Sequence, residues 1–132
     1  MKVYTDGAYK PSTDQGGWAY IVIDNDTEIY SDYGGKKNTT NNQMEIMAVI
    51  QALHWLMRNN ESGTIYTDSQ YVWGTINKNW KRNKNQNYWK VWDLVFKRWP
   101  NVKVEWVKGH STNEFNNKAD KLAVKGSELL IL

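Results

Sequence analysis

TNNQMEIMAVIQALHWLM, residues 40–57, is where the periodicity of the chain changes. Thr40-Asn41-Asn42-Gln43 matches a capping box, with Thr40 as N-cap and Gln43 reaching back to it. Behind it, Ile46, Val49, Ile50, Leu53, Leu56 and Met57 recur at helical spacing. This predicts an amphipathic helix, ended by Asn59-Asn60 and Gly63. The chain before it reads as strands. Lys2–Tyr9 is a first strand running into a turn over Lys10–Gly17, marked by Pro11, Ser12, Thr13, Asp14 and two glycines. Trp18–Asp24 is a second, Asn25-Asp26 a hairpin turn, and Glu28–Tyr33 the returning strand. The chain after the helix alternates. Thr64–Thr67 is a short strand, and Asp68-Ser69 offers a helix start. Tyr88–Trp99 is an amphipathic helix closed by Pro100, and Val102, Val104 and Trp106 mark a strand. Gly109–Asn113 is a loop and Phe115–Lys125 a final helix. The order β-β-β-α-β-α-β-α predicts an α/β fold: a meander, a mixed sheet, and helices on its faces.

A chain of 132 residues fits one domain, 1–132, with a core that needs no staples. It has no Cys, which excludes disulfide scaffolds, thiolate zinc sites and cysteine nucleophiles. The longest apolar run is the LLIL at Leu129–Leu132, too short to span a membrane. The opening MKVYTDGAYK lacks the apolar region of a signal peptide. A soluble, cytoplasmic protein is the expectation. Asn is abundant throughout, a bias that genome composition alone can produce. The net charge of +3 conceals an asymmetry. Residues 76–103 carry Lys78, Lys81, Arg82, Lys84, Lys90, Lys97, Arg98 and Lys103 against Asp93 alone, a local +7. Trp73, Trp80, Trp89, Trp92 and Trp99 lie in or beside that segment. Basic residues interleaved with aromatics suggest a nucleic-acid face. A solvated helix whose Trp side chains fill the core explains the same pattern equally well.

The acids are more telling. Asp6 sits in a strand of apolar or small residues, and Asp68 directly follows an apolar strand. Glu45 lies beside the apolar stripe of the first helix, and Asp120 lies next to Ala119 and Leu122 in the last. One such acid is ordinarily a cap or an ion-pair partner; Asp68 could cap a helix starting at Ser69. Four without matching cations would repel one another and raise their pKa values. A divalent ion resolves that conflict. Oxygen donors alone select a hard one, Mg²⁺ or Mn²⁺.

Five segments in order carry a resemblance to the type 1 ribonuclease H family, over about Met1 to Val124. They are Tyr4-Thr5-Asp6-Gly7-Ala8, Thr39-Thr40-Asn41-Asn42-Gln43-Met44-Glu45, Thr67-Asp68-Ser69-Gln70-Tyr71-Val72, Trp106-Val107-Lys108-Gly109-His110 and Asn116-Asn117-Lys118-Ala119-Asp120. The resemblance implies an RNase H-like fold with a five-stranded mixed sheet, strands 1-2-3 antiparallel and strands 4 and 5 parallel. It implies that Asp6, Glu45, Asp68 and Asp120 hold two Mg²⁺ ions, with Mn²⁺ as a substitute. The implied reaction is hydrolysis of the RNA strand of an RNA–DNA hybrid, leaving 5′-phosphate and 3′-hydroxyl ends. His110 then assists proton transfer or product departure. Asn116, four residues before Asp120, orients that carboxylate. Asn41, Asn42 and Gln70 match positions that touch the hybrid's minor groove, and Thr40 suits a DNA-strand phosphate at a helix N-terminus.

Two departures stand out. Ser12 occupies the place where bacterial members of the family carry a substrate-contacting Asn. The basic protrusion of many members is shortened here to Trp80-Lys81-Arg82-Asn83-Lys84-Asn85-Gln86-Asn87, a handle expected to grip the hybrid through Trp80, Lys81, Arg82 and Lys84. Leu129–Leu132 either packs on the sheet edge or belongs to a partner contact. The rival readings are a DNA nuclease of the same fold, a non-catalytic hybrid-binding module, and one domain of a reverse transcriptase. Asn41, Asn42 and Gln70 oppose the first, and four intact acids oppose the second. The opening Met and the handle favour a free-standing monomer over the third.

Overall fold

The structure, a computed structural model, describes residues 1–109 and 113–129. Three antiparallel strands come first: β1 (Lys2–Lys10), β2 (Gln15–Asp24) and β3 (Thr27–Lys37). Then follow α1 (Asn41–Arg58), β4 (Gly63–Thr67), α2 (Gln70–Asn77), α3 (Gln86–Arg98), β5 (Val102–Trp106) and α4 (Glu114–Ser127). The sheet order is β3-β2-β1-β4-β5, with β4 parallel to both of its neighbours. This is the expected five-stranded mixed sheet.

The local reasons are legible in the dihedrals. Asn25 and Asp26 turn β2 into β3 with φ of 49° and 61°, the left-handed pair that a tight hairpin needs. Among the described residues, the other non-glycine positive-φ positions are Asp14, Asn38, Asn60, Asn79 and Asn85. All are Asn or Asp, the side chains that tolerate this region best. Much of the Asn abundance therefore serves turns and helix ends.

Three expectations need correction. The first turn spans only residues 11–14, because Gly16 and Gly17 pair with Tyr9 and Ala8 inside the β1–β2 ladder. Glycine stands at position 17 for closeness: a Cβ there would lie 2.1 Å from the Ala123 carbonyl oxygen, since α4 packs directly on the strand. Two helices, not one, separate β4 from β5. Short α2 follows the helix start that Asp68-Ser69 offers, with Ser69 as its N-cap. Gly74 in its middle admits the Trp80 ring, which a Cβ would meet at 2.4 Å. Finally, only half of the capping box forms. Thr40 accepts from the Gln43 amide N–H at 3.1 Å. The Gln43 side chain instead accepts from the Thr39 hydroxyl and donates to Asn85.

Two apolar clusters flank the sheet. Val3, Tyr20, Val22 and Ile65 pack with Ile46, Val49, Leu53 and Leu56 of α1, and with Trp89 and Trp92 of α3. Tyr4, Ile21 and Ile23, alternating with the first set along their strands, pack with Ala119 of α4. The question of the Trp residues is thereby divided. Trp89 and Trp92 are core, whereas Trp80 and Trp106 keep 46% and 41% of their surface exposed. No helix among the described residues is long and apolar enough to cross a membrane. Leu129 is exposed, and Leu130–Leu132 lie outside the described residues.

Candidate active site

Strand register brings the first two acids together. Tyr4 on β1 lies opposite Tyr66 on β4 in the parallel ladder, so Asp6 and Asp68, each two residues further on, end side by side. Asp68 is spared the capping role considered for it: Ser69 is the N-cap of α2, accepting from the Val72 N–H at 3.1 Å. Glu45 arrives from α1 because β1 and that helix nearly touch. A Cβ on Gly7 would lie 2.5 Å from the Glu45 nitrogen and 2.6 Å from the Met44 carbonyl carbon. Glycine makes that approach possible. Its N–H donates to Asp6 Oδ1 at 2.9 Å and also to Glu45 Oε1, holding both carboxylates in place.

Carboxylate oxygens of Asp6, Glu45 and Asp68 lie within 4.8 Å of one another. Asp6 is 4% and Glu45 6% exposed, and Asp68 is half-buried. Among the described residues, no Lys or Arg forms an ion pair with any of the three. Burial, then the Asp68 charge and a hydrogen bond with Asp120, pushes the Asp6 carboxyl up from 3.8 to about 9. The Glu45 carboxyl is raised well above 4.5, again by burial first and by the charges of Asp6 and Asp68 second. Mutual repulsion alone was the cause expected from the sequence; desolvation is the larger one. Half-buried Asp120 stands against Asp6 but outside the tight trio. Asn116, one helical turn before it, is 1% exposed, and its Oδ1 has no hydrogen-bond partner among the described residues. A buried cluster of carboxyl oxygens that are costly to ionise without a counter-cation fits a hard divalent ion.

Around the acids, Thr40, Asn41, Asn42 and Gln70 are exposed, the first three at the start of α1 and the last at the start of α2. A recess of about 220 Å³ is lined by Asn42 together with Tyr71, Lys81, Asn83, Lys84 and Asn85, so the handle meets the start of α1. Gln70 and Trp80 line another, of about 290 Å³, with Trp73 and Trp106. The Trp106 indole N–H also donates to the Asp68 carbonyl oxygen at 3.2 Å. Ser12 is exposed in the turn after β1. Arg82 is turned inward, paired with Asp93 and placed 5.4 Å from the centroid of the Trp89 ring. His110 lies outside the described residues.

Asn85, Tyr71, Trp73 and Trp106 lie in or beside the quoted segments, but the sequence assigns them no site role. Asn85, at φ 61°, accepts from Gln43 at 3.3 Å and donates to the Tyr71 hydroxyl at 3.1 Å, tying the handle to both α1 and α2. The alternation Asn83-Lys84-Asn85-Gln86-Asn87 is the available signal, and it names no partner.

A family model described as RNase H matches residues 1–128. Ribonuclease H of Francisella tularensis subsp. novicida is 45% identical over 143 residues, covering 97% of this chain and 91% of that one. Ribonuclease H of Treponema denticola is 37% identical over 161 residues, covering 99% of each. Among solved structures, LC11-RNase H1 in complex with RNA/DNA hybrid has a TM-score of 0.83 at 18% identity, covering 96% of both chains; that likeness is one of fold.

Proposed function

The chain belongs to the RNase H family, and from that premise we propose that it hydrolyses the RNA strand of RNA–DNA hybrids. It is an endoribonuclease dependent on divalent metal. The observation that carries the site assignment is the convergence of Asp6, Glu45 and Asp68 with no ion-paired Lys or Arg among the described residues, two of them buried where desolvation pushes their carboxyls upward.

In this reading Asp6, Glu45, Asp68 and Asp120 hold two Mg²⁺ ions, which Mn²⁺ can replace. Bound there, the ions supply Lewis-acid charge for activating a water and stabilising the 3′ leaving oxygen of an in-line displacement. The Gly7 N–H fixes the orientation of Asp6 and Glu45. Asn116 steadies Asp120 from one helical turn away. His110 moves a proton or helps the product depart, as its family position implies. The amides of Asn41, Asn42 and Gln70 both donate and accept, which suits 2′-hydroxyls and base edges in a minor groove. Thr40, at the N-terminus of α1, suits a phosphate of the DNA strand. Trp80, Lys81 and Lys84 grip the backbone beyond it, with Arg82 bracing the handle and Ser12 in the turn after β1 offering a further contact. The 132 residues act as one domain, a monomer in the cytoplasm.

The test is cleavage of end-labelled RNA–DNA, RNA–RNA and DNA–DNA duplexes with Mg²⁺, Mn²⁺, Ca²⁺ or EDTA. Cleavage confined to the RNA of the hybrid, with Mg²⁺ or Mn²⁺, and leaving 5′-phosphates, is expected. Equal cutting of DNA–DNA, or activity in EDTA, would sink the reading.

A further inference from the structure

Helix α4 meets strand β1 at two polar rungs. Tyr4 and Asp6 are two residues apart on the strand, so both project from the face that α4 covers, roughly 6.6 Å apart. Asn113 and Asp120 are seven residues apart, so they lie on nearly one side of the helix, with about 10.5 Å of rise between them. At one rung Asp120 stands against Asp6, acid on acid. At the other the Asn113 side-chain amide donates to the Tyr4 hydroxyl at 3.2 Å. That same Asn113 is the N-cap of α4, its Oδ1 accepting from the Phe115 and Asn116 N–H groups at 3.0 Å each. The Tyr4 ring is fixed in turn. It is 7% exposed, stacked on Tyr66 with centroids 4.8 Å apart, and packed against Phe115 at 5.8 Å.

The second rung fixes the start of α4, seven residues before Asp120. The close backbone packing of α4 at Ala123 and Gly126 against Gly17 and Gly34 lies C-terminal to Asp120. In its N-terminal half, Ala119 and Phe115 pack on the cluster that contains Tyr4, Lys118 pairs with Glu28 of β3, and the Tyr4–Asn113 bond is the polar tie at the start of the helix. We propose that Tyr4 and Asn113 form a clamp that positions Asp120 against the three-acid cluster, so that the fourth carboxylate is in reach of the same divalent ions. Both are positioning residues, acting through Asp120. The inference rests on the reading of the acids as a metal site.

Two variants remove the bond. Tyr4→Phe removes one hydroxyl and keeps both ring contacts. Asn113→Ser keeps a capping oxygen and removes the amide donor. The measurement is Mn²⁺ binding to the full chain without nucleic acid, by titration calorimetry well below the melting temperature. Each variant is expected to weaken Mn²⁺ binding about two- to tenfold, the range of one net hydrogen bond, and the double variant to be no weaker than either. Unchanged Mn²⁺ affinity in both single variants would reduce the bond to a packing contact and overturn the proposal. Additive losses in the double variant would also overturn it, because the two residues would then act separately. A wild-type chain that binds no Mn²⁺ would instead refute the metal reading, and the clamp with it.

Discussion

At Gly7 the absence of a side chain does two things at once. It lets β1 approach α1, and it leaves an N–H aimed at two carboxylates. Gly7→Ala is expected to force the Met44–Glu45 backbone away, because both near atoms belong to the main chain. Overpacking of this kind costs about 1–3 kcal/mol. The melting temperature should fall by several degrees and hybrid cleavage should collapse. A melt and turnover equal to wild type would mean that strand and helix are not so close. The acids themselves are predicted to behave differently. Asp68→Asn should abolish Mg²⁺-dependent cleavage while leaving hybrid binding largely intact, since Asp68 neither caps α2 nor sits in the core. Near wild-type turnover in that variant would remove Asp68 from the metal site.

At the scale of elements, the handle divides into parts with different duties. Lys81 and Lys84 are exposed, whereas Arg82 is committed to Asp93 and the Trp89 face. Neutralising Lys81 and Lys84 should therefore raise KM more than it lowers kcat. It should also make the salt dependence of log affinity shallower by roughly 0.9 per lost phosphate contact, on the B-DNA scale. Arg82→Gln should act mainly on the seating of the handle on α3, with a smaller change in salt slope. Equal salt slopes for wild type and the Lys81/Lys84 variant would make this stretch an ordinary solvated surface. What was legible in the sequence follows the same division. The four acids could be read because each is attached to a local pattern: an apolar strand, a capped helix, a strand end, an alanine-bearing helix. Asn85 could not, because its role depends on Gln43 and Tyr71, distant in sequence and joined only by the fold. Tyr4 with Asn113 is the extreme case, 109 positions apart. Gly16 and Gly17 misled because turn and close packing select the same residue, and only the position of α4 distinguishes them.

Across the whole molecule, global stability should be coupled to the protonation of the acids. Asp6 titrates near 3.8 when unfolded and at about 9 when folded, and the Glu45 carboxyl is shifted in the same direction. Between those limits the folded state binds more protons than the unfolded one, so the stability of the metal-free protein falls as pH rises. The contribution is fully present below about pH 4 and is lost as pH passes through 9. In EDTA at neutral pH, Asp6→Asn removes an acid that burial disfavours as an anion, and its melting temperature should exceed that of wild type. Divalent metal reverses the slope. Its carboxylate ligands must be ionised, so binding releases protons and tightens as pH climbs toward 9. Millimolar Mg²⁺ or Mn²⁺ should thus raise the wild-type melting temperature more at pH 8.5 than at pH 6, by stabilising only the folded state. The same ions should do little for Asp6→Asn at either pH. Melting curves across pH, with EDTA and with Mn²⁺, measure both effects. An Asp6→Asn protein clearly less stable than wild type in EDTA would make Asp6 a structural anchor, held by the Gly7 N–H, and the cluster would lose its character as a site kept under strain for metal.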